Sequence, residues 1–598
     1  MTRSIRIGGA AGYWGDSTQA PRQLVHHGNV DYLVFDYLAE VTMSILVRAK
    51  AADPTKGYAA DFVHLVMKPL LPDLKEKGIK VVVNAGGVNI AACAEALRKV
   101  AVDQGIPLKV GIVEGDDLLG RMDDLRSRGI REMFSGAPLP DELASANAYL
   151  GAFPIAAALD GGAEVVITGR CVDSAVTLGV LAHEFGWKPD AYDQLAAGTL
   201  AGHILECGAQ ATGGNFTDWK DSADGWDNMG YPIAECFADG RFVISKPEGT
   251  GGIVSRLSVG EQILYETSDT QNYIVPDVIC DYSQAVLEQS GPEEVTITDV
   301  KGSAPTDTFK VSATYRDGYR ATATTLVTGF DAVAKAQHYG DALLKRVSRL
   351  IGERGMADFD RTAVHVIGAE TLWGANASPH AAQAREVVVQ TDVRHQDKAA
   401  LELFSKETTG VALSMTTGRC GVGEAGRPKA TPVVAQFAFL IDKSEVVPTV
   451  SVDGVTLDFV PPVQSHAPTP AQSEPPQAAL FDGPTTACQL IDIAVARSGD
   501  KGNTANVGLM ARSPELYEVI CREVTAQKVA DWFGHVTKGE VSCYAAPGMG
   551  ALNFLLRETL DGGGTSSLHL DKLAKTYGQQ LLAMPVQVPT ALLQGTTK

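Results

Sequence analysis

The chain has 598 residues, which is too long for one ordinary hydrophobic core and suggests about four structural units of roughly 150 residues each. Its content of 45% hydrophobic and 20% charged residues is typical of a folded globular protein. The formal net charge of −20 opposes nucleic-acid binding, because such binding depends on Lys and Arg side chains that neutralise phosphates.

Membrane, disulfide and zinc-binding classes are also disfavoured. No apolar run approaches the roughly 20 residues needed to cross a bilayer, so we expect a cytosolic protein without membrane partners. The nine Cys are scattered, with neither a C-x-x-C pair nor a Cys/His cluster. Cys171 and Cys207 could act as nucleophiles near helix starts, but buried inert thiols are the favoured interpretation.

Residues 1–225 alternate short β-branched runs with helical stretches of ten or more residues. The runs include SIRIGG, VDYLVFDY, IKVVVNAGG, LKVGIVEGDD and AEVVITGRCVD. Buried strands separated by helices are typical of a parallel sheet that is covered on both faces. The sequence therefore predicts an open, doubly wound, mostly parallel α/β domain of Rossmann-like type.

Three further segments follow this domain. Residues 226–460 are richer in strand-like runs, such as DTFKVSATYR and PVVAQFAFLID, and predict an α+β second domain. Residues 461–485 contain many Pro and small polar residues, which indicates an extended linker. Residues 486–598 contain small βαβ-type units that are compatible with a ferredoxin-like α/β sandwich.

Several strands of the first domain end in Gly together with a polar residue. Ligands of open α/β sheets bind outside the carboxyl ends of the strands, so we expect these turns to line one rim. The candidate binding residues in these turns are Gly8, Gly9, Gly12, Asp36, Asn84, Gly86, Gly87, Thr168 and Gly169. The first turn lacks the G-x-G-x-x-G spacing and a P-loop Lys, so no nucleotide cofactor is predicted. Backbone contact with a ligand and a tight turn needed only for packing both remain open.

The turn after AEVVITG combines a forked cation, a carboxylate and a hydroxyl. Arg170 could clamp a carboxylate or phosphate through two parallel hydrogen bonds. Asp173 could act as a base, or it could cap the next helix together with Ser174. We therefore take Arg170 and Asp173 as catalytic candidates and Ser174 as a binding candidate.

Two Gly-rich loops in the middle of the chain carry further candidates. Gly213, Gly214 and Asn215 belong to a flexible polar loop that suits substrate positioning or closure over a ligand.

The second loop, KPEGTGG at 246–252, could form an anion-binding nest. Lys246 would be the anion partner and Glu248 the acid or base, with Gly249, Thr250 and Gly251 as further contacts. A plain turn is the alternative.

In the C-terminal segment, SGDKGN joins two strand-like runs. A tight connection explains most of these residues. Lys501, with Asp500 and Asn503, could also meet an anionic substrate group delivered from the large domain.

Carboxylates are frequent at the predicted rim, where Asp16, Asp36, Glu40, Glu114 and Asp116 occur. They could hold a divalent cation through oxygen ligands, but no motif selects which would bind it. A solvated rim is the favoured interpretation, and we predict no metal and no nicotinamide, flavin or pyridoxal cofactor.

Seven short motifs occur in order along the chain. They are RIGGAAGYWGDS at 6–17, VNAGGVN at 83–89, VITGRCVDSA at 166–175, ECGAQATGGNF at 206–216, GYPIAE at 230–235, KPEGTGG at 246–252 and ARSGDKGNTANVG at 496–508. Together they resemble the acyclic terpene utilisation A family, which combines a large N-terminal domain with a ferredoxin-like C-terminal domain. The resemblance implies a place in the breakdown of acyclic terpenoids and related branched acids as coenzyme A thioesters, and it supplies no catalytic residue.

The resulting hypothesis is an enzyme of branched acyl-coenzyme A catabolism. It would perform acid/base chemistry, as a hydratase or a lyase: hydration, dehydration or carbon–carbon lysis beside the thioester. Arg170, Asp173, Glu248 and Lys501 are its catalytic candidates, provided that they share a cleft. Coenzyme A enters only as part of the substrate. The alternative is a non-catalytic acyl-coenzyme A-binding or assembly protein of the same pathway, and in either case we expect a homo-oligomer.

Overall fold

The structure is a computed structural model that describes residues 3–422, 426–462, 481 and 483–593. Most of the predicted linker at 461–485 lies outside the described residues.

The described residues form both helices and strands, and the two alternate mainly in the N-terminal part. The strands are β1 Ser4–Ala11, β2 Tyr32–Phe35, β3 Lys80–Val83, β4 Val110–Glu114, β5 Ser145–Ala148, β6 Val165–Thr168, β7 Ile233–Phe237, β8 Phe242–Ser245, β9 Tyr273–Ile274, β10 Ile279–Asp281, β11 Val286–Gly291, β12 Glu294–Thr298, β13 Lys301–Ser303, β14 Thr308–Thr328, β15 Arg361–Ile367, β16 Glu386–His395, β17 Arg419–Cys420, β18 Thr431–Asp442, β19 Thr449–Val452, β20 Val455–Thr456, β21 Thr485–Gln489, β22 Ala494–Lys501, β23 Thr504–Ala511, β24 Val541–Ala546, β25 Ala551–Leu556 and β26 Pro585–Pro589. The α-helices are α1 Gln19–His27, α2 Glu40–Ala52, α3 Lys68–Lys77, α4 Ile90–Asp103, α5 Met122–Ser127, α6 Phe153–Asp160, α7 Ala175–Phe185, α8 Tyr192–Leu205, α9 Arg256–Leu264, α10 Ala332–Glu353, α11 Lys398–Gly410, α12 Pro514–Glu523, α13 Ala526–Trp532, α14 Tyr577–Leu581 and α15 Thr590–Leu593.

The largest sheet has the strand order β11-β12-β8-β7-β1-β2-β3-β6-β4-β19-β20. Its central strands β1, β2, β3, β6 and β4 pair in parallel, as predicted. The flanking strands are antiparallel, because later segments of the chain add hairpins at both edges. The predicted α/β class is confirmed, but this sheet is mixed rather than mostly parallel. The boundary predicted near residue 225 falls between strands of this one sheet.

Helices cover both faces of the parallel strands. In β2, Leu33 and Phe35 pack with α1, α3 and α4, whereas Tyr32 and Val34 pack on the opposite face with α7 and α8. Successive side chains of a strand point to opposite faces, so a strand buried on both sides has no polar alternate positions. No helix of the described residues is long and apolar enough to cross a membrane.

A second sheet is built around the long strand β14. The first half of β14 pairs with β5 and β18, and its second half pairs with β16. Strand β5 comes from the N-terminal part of the chain. Its antiparallel pairing with β14 sets Ala148, at the end of β5, opposite Val311, near the start of β14. The Tyr149 amide donates to the carbonyl of Lys310 at 2.9 Å, which fixes these two residues side by side.

The C-terminal residues form an antiparallel sheet in the order β22-β23-β25-β24. Helices α12, α13 and α14 cover one of its faces. β22 and β23 form a hairpin that turns at Gly502 and Asn503. Gly502 has a φ of +65°, a conformation that favours glycine at the first position of such a turn.

The other face of this sheet lies on α9 with very little space between them. A Cβ atom on Gly508 would overlap Leu264, and one on Gly260 would overlap Met510. Glycine is therefore required at position 508, where the rigid Cβ of Leu264 blocks a side chain, whereas at position 260 the flexible end of Met510 would have to move.

Two buried amides join the C-terminal sheet to the loop after α9. Asn506 accepts from the Glu266 amide at 2.9 Å and donates to the carbonyl of Leu264 at 2.7 Å. Asn506 also donates to Asn553 Oδ1 at 3.0 Å, and Asn553 donates to the carbonyl of Thr267 at 2.6 Å. Since both side chains are buried, removing either would leave buried polar groups unpaired.

Glu261 of α9 lies buried in the same contact, with 3% of its surface exposed. Its Oε1 accepts from the Thr217 amide at 3.2 Å, and the Thr217 hydroxyl donates to the carbonyl of Ala496 in β22. Burial raises the pKa of Glu261 to about 8, so its carboxyl is protonated in the folded protein at neutral pH.

Glu261 makes stability depend on pH. The unfolded chain ionises this carboxyl near its usual pKa of 4.5, whereas the folded protein keeps the proton up to about 8. The stability contributed by this group is therefore complete below pH 4.5 and is lost as the pH rises to about 8. In Glu261→Gln the side chain has the shape of the protonated carboxyl and cannot ionise. We therefore expect the unfolding free energy of the variant to exceed that of the parent by on the order of 3 kcal/mol near pH 8 and to equal it near pH 4.5.

Chemical denaturation of parent and variant across this pH range measures the difference. Glu288→Gln, at an exposed position of β11, is the control and should follow the parent throughout. A constant gap between the Glu261→Gln variant and the parent at every pH would contradict the assignment.

Candidate functional site

A cleft of about 2410 Å³ opens at the carboxyl ends of β1, β2 and β6. Strands β14 and β18 form a second wall, and the β22–β23 hairpin forms a third. The sequence-predicted residues that line it are Gly12, Asp36, Arg170, Asp173, Gly214, Asn215, Asp500, Lys501 and Asn503. The structure thus brings together residues from both ends of the chain.

Arg170 is buried at the floor of the cleft, and its side chain is held from several directions. Its amide donates to Asp116 Oδ2 at 2.9 Å. Its Nη1 donates to Asp173 Oδ1 at 2.6 Å and to the carbonyl of Cys171 at 2.9 Å. Nε and Nη2 make no hydrogen bond within the described residues, so one edge of the guanidinium is available to a ligand.

Arg170 shares an aromatic ring with a second cation. Its guanidinium carbon lies 4.1 Å from the centre of the Tyr149 ring, and Lys310 Nζ lies 5.1 Å from it. The Tyr149 hydroxyl donates to Glu40 Oε1 at 2.7 Å. Among the described residues Lys310 has no salt-bridge partner, so this ammonium group is held mainly by the ring and by the field of Glu40.

The charges of this group shift one another's pKa values. Burial on its own would raise the pKa of Glu40, but Lys310 and Arg170 lower it to about 2, so Glu40 is ionised. Burial also lowers the pKa of Lys310, and the positive charges of Lys501 and Arg170 add to that effect against the opposing effect of Glu40. The site therefore holds an amine that gives up its proton more readily than an ordinary Lys.

Asp36 has the opposite tendency. It follows β2, it is 8% exposed, and it accepts from Asn84 Nδ2 at 2.5 Å. Asn84 Oδ1 in turn accepts from the Tyr37 amide, which fixes the orientation of the amide group. Burial and the nearby charge of Asp173 raise the pKa of Asp36 well above its usual range, so this carboxyl tends to keep its proton.

A second buried acid lies on the same wall. Glu206 Oε1 is 3.1 Å from His203 Nδ1 at the end of α8. Burial raises the pKa of Glu206, whereas His203 partly offsets that rise. Burial would lower the pKa of His203, but Glu206 raises it overall. The pair thus favours a shared proton at the cleft wall.

The C-terminal module adds cations to the cleft. Lys501 Nζ donates to Glu266 Oε2 at 2.7 Å, and Lys575 Nζ donates to Glu266 Oε1 at 3.0 Å. Lys575 also contacts Asp500 at 3.3 Å. Burial would raise the pKa of Glu266, but the two Lys hold it well below its usual range. Glu266, which the buried Asn506 positions, therefore anchors both Lys side chains at the cleft wall.

Several predicted residues serve the site from behind its surface. Those that do not line the cleft are Gly8, Gly9, Asn84, Gly86, Gly87, Thr168, Gly169, Ser174 and Gly213. A Cβ on Gly9 would overlap the carbonyl of Leu205, and a Cβ on Gly169 would overlap Asp116. At Gly9 and Gly169, glycine therefore permits close packing. Of the two alternatives left open by the sequence, a turn needed for packing is the one that fits these two positions.

The start of α7 does not use the predicted cap. Ser174 is the N-cap residue of this helix, but its side chain makes no capping bond, and its hydroxyl is buried without a partner among the described residues. Asp173 directs its carboxylate to Arg170 instead. The interpretation of Asp173 as part of a charged site is thus the one that fits its contacts.

The loop at 246–252 lies outside the cleft lining, contrary to the expectation that Glu248 shares a cleft with Arg170 and Asp173. Lys246 Nζ donates to the carbonyl of Thr250 at 2.8 Å and so closes its own turn. Glu248 is exposed to solvent. The residues of this loop that were predicted to bind and do not line the cleft are Lys246, Glu248, Gly249, Thr250 and Gly251.

The two cysteines considered as nucleophiles both have raised pKa values. Burial raises the pKa of Cys171 to about 12, and burial with the charge of Glu206 raises that of Cys207 well above its usual range. Both therefore remain thiols at neutral pH. In the part of the chain that the structure describes, no cluster of three or more His, Cys, Asp or Glu is arranged to hold a metal ion.

Sequence reasoning missed several residues of the cleft. These are Tyr149, Lys310, Glu266, Tyr273 and Lys575. None belongs to a Gly-rich turn after a parallel strand, because they arrive from the edge of the second sheet and from loops. The sequence did place Glu40 at the rim as a carboxylate, and Glu40 is the residue to which the Tyr149 hydroxyl donates.

Fold and site together define a mixed α/β protein with a cluster of buried ionisable side chains in a cleft that a C-terminal module completes. Residues 5–452 match the model of the acyclic terpene utilisation family protein AtuA, and residues 488–587 match that of the AtuA ferredoxin-like domain. The chain belongs to the AtuA family, which is involved in acyclic terpene utilisation, and the family predicted from the sequence motifs is confirmed. A search of curated proteins finds no match.

Arg170→Lys tests whether the free edge of the guanidinium binds ligand. Lys keeps the charge but cannot form a planar two-pronged contact, so we expect affinity for a branched acyl-coenzyme A ester to fall by about one to two decades, or ~1.5–3 kcal/mol. Isothermal titration calorimetry measures the affinity, and the melting temperature of the same sample monitors the fold.

Arg241→Lys is the matched control. Arg241 also lies over an aromatic ring, 3.7 Å from the centre of Phe237, but outside the cleft lining. Its replacement should leave affinity unchanged. If affinity is equally unchanged in the Arg170 variant, Arg170 does not contact the ligand.

Proposed function

We propose that the protein is an enzyme that performs acid/base chemistry on a branched acyl-coenzyme A thioester, as a hydratase or a carbon–carbon lyase. The observation that carries the proposal is the presence in one cleft of two groups whose pKa values are shifted in opposite directions: burial and Asp173 raise the pKa of Asp36, and burial lowers the pKa of Lys310. Titratable groups whose surroundings push their pKa values apart are suited to act as acid and base near neutral pH.

The two reaction types share one intermediate. In hydration, a base takes a proton from water, the hydroxide adds to the β-carbon of an unsaturated thioester, and the electron pair moves to the thioester oxygen. In lysis, the base takes the proton of a β-hydroxyl group, the oxygen forms a carbonyl with the β-carbon, and the bond between the α- and β-carbons breaks as its electron pair moves to the thioester oxygen. Both steps leave an enolate on the thioester, which is then protonated at the α-carbon.

The charged groups of the cleft match these requirements. The open edge of Arg170 would stabilise the enolate oxygen, since preorganised donors aimed at developing charge are a large catalytic term. In its neutral form, which its lowered pKa makes more accessible than in an ordinary Lys, Lys310 would take the first proton, and Asp36 would supply the last one. Asp173 acts as a positioning residue, because it holds the guanidinium through Nη1.

The cleft is also large enough for such a substrate. Ligand pockets of about 300–1,000 Å³ accommodate most small molecules, and this cleft measures about 2410 Å³. Lys501 and Lys575 line its C-terminal wall, where they pair with Glu266 and Asp500, and their remaining N–H donors could contact anionic groups of a ligand. A coenzyme A thioester is both large and multiply anionic.

Mass spectrometry of the purified protein with a panel of branched acyl-coenzyme A esters tests the proposal. The panel contains unsaturated and β-hydroxylated members. We expect one class to gain or lose a water, or to split into two products. A protein that binds these esters without changing any of them would be a carrier or an assembly factor, and the enzymatic proposal would be wrong.

Asp36→Asn tests the assigned acid. Asn has the charge of the protonated carboxyl and can still contact Asn84, so the fold should persist while turnover falls by about 10²- to 10⁴-fold. In the parent the rate should decline as the pH rises through the raised pKa of Asp36, because the proton donor is then lost.

Asp160→Asn, at an exposed side chain on α6, is the control and should keep both the parent rate and the parent pH profile. An Asp36→Asn variant that turns over at the parent rate would show that Asp36 is not the acid and would remove the pairing with Lys310 on which the proposal rests.

A further inference from the structure

One end of the cleft combines basic and aromatic side chains that the proposed acid/base chemistry does not use. Three residues of α1 line the cleft and are exposed to solvent: Arg22, His26 and His27. Positions 22 and 26 are four residues apart, so they lie on one face of the helix. Arg22 and His27 have no ionic partner among the described residues, whereas His26 lies 3.6 Å from Asp73.

Trp226 also lines the cleft. It is 52% exposed, which is unusual for so large an apolar ring. Trp219 lies beside it, with the ring centres 5.9 Å apart and the planes tilted by 42°. A hydrogen bond from Trp226 Nε1 to Ser222 Oγ at 3.2 Å fixes the edge of the ring, so its exposure is held in place.

Gln23 joins these two features. Its Nε2 donates to the carbonyl of Met229 at 3.0 Å, and its Oε1 accepts from the Tyr231 amide at 3.0 Å. The side chain thus pairs with the backbone of the segment that follows Trp226. Because these bonds attach α1 to the segment that follows Trp226, we treat Arg22, His26, His27 and Trp226 as one rim of the cleft.

We propose that this rim is a binding site for an adenine nucleotide with a terminal phosphate, and that it holds the nucleotide end of coenzyme A. An exposed aromatic ring offers a stacking surface to a purine, and a neighbouring row of Arg and His provides donors for phosphate. Asp227 also lines this rim, so the site is not uniformly basic. The proposal rests on the proposed function for the identity of the nucleotide, since the same chemistry would accept a free nucleotide.

Isothermal titration calorimetry with three probes tests the site. Adenosine 3′,5′-bisphosphate represents the nucleotide end of coenzyme A, ADP represents a free nucleotide, and pantetheine lacks a nucleotide. We expect adenosine 3′,5′-bisphosphate and coenzyme A to bind and pantetheine not to bind. Stronger binding of ADP than of the bisphosphate would assign the rim to free nucleotides instead of coenzyme A.

Variants at the rim locate the binding. Trp226→Ala and Arg22→Gln should each weaken binding of adenosine 3′,5′-bisphosphate by about tenfold or more, and Trp226→Phe should retain most of it because a stacking ring remains. Phe330→Ala, at a ring that is 92% exposed, and Arg349→Gln, at a surface ion pair, lie outside the cleft lining and should bind as the parent does.

The failures of the two proposals are distinguishable. Nucleotide binding at Trp226 without turnover of any ester would leave the rim assignment in place and contradict the enzymatic proposal. Turnover together with unchanged nucleotide affinity in Trp226→Ala and Arg22→Gln would overturn the rim assignment alone. Retained binding in Trp226→Phe would show that a substitution at this position does not by itself disrupt the fold. Equal losses of affinity in Trp226→Phe and Trp226→Ala would contradict a stacking role.

Discussion

The close contact between α9 and the C-terminal sheet is the constraint on which the cleft depends. Gly260 and Gly508 allow the two backbones to approach, and the buried Asn506 and Asn553 fix their register through hydrogen bonds to the loop after α9. The same loop carries Glu266, so the contact that joins the two parts of the chain also sets the position of Lys501. A shift of this sheet would move the third wall of the cleft.

Burial explains the behaviour of the charges in that cleft. Each ionisable group there has lost part of its hydration, so the sign of its pKa shift depends on which neighbours compensate for the loss. Glu40 has two cations beside it and stays ionised, whereas Asp36 has another carboxylate nearby and tends to keep its proton. Similar side chains a short distance apart can therefore take opposite roles.

The sequence predicted the features that depend on local pattern. Continuous apolar runs such as those of β2 and β6 indicated strands buried on both faces, and the rule for open α/β sheets placed Asp36 and Arg170 at one rim. Ordered motifs identified the family. The hairpin at Gly502 was also within reach, because a Gly-Asn pair between two strand-like runs is a strong turn signal.

Features that depend on pairing between distant segments of the chain could not be predicted from the sequence. The edges of the large sheet come from segments more than a hundred residues from β1, and nothing local reveals that partnership. Lys310 lies in an ordinary alternating strand, and only its pairing beside Tyr149 gives it significance. The loop at 246–252 shows the converse. Its residue types suit anion binding, but Lys246 donates to the carbonyl of Thr250 within the loop itself, and the local sequence does not reveal that contact.

Placing all three walls of the cleft on a single polypeptide has a consequence for assembly. Arg170 and Lys310 come from one part of the chain and Lys501 and Lys575 from another, so synthesis always delivers them in equal numbers. Covalent connection also keeps the second part at a high effective concentration near the first, which makes their association insensitive to how much protein a cell contains. Two separate polypeptides carrying the same residues would form the complete cleft only above the dissociation constant of their contact.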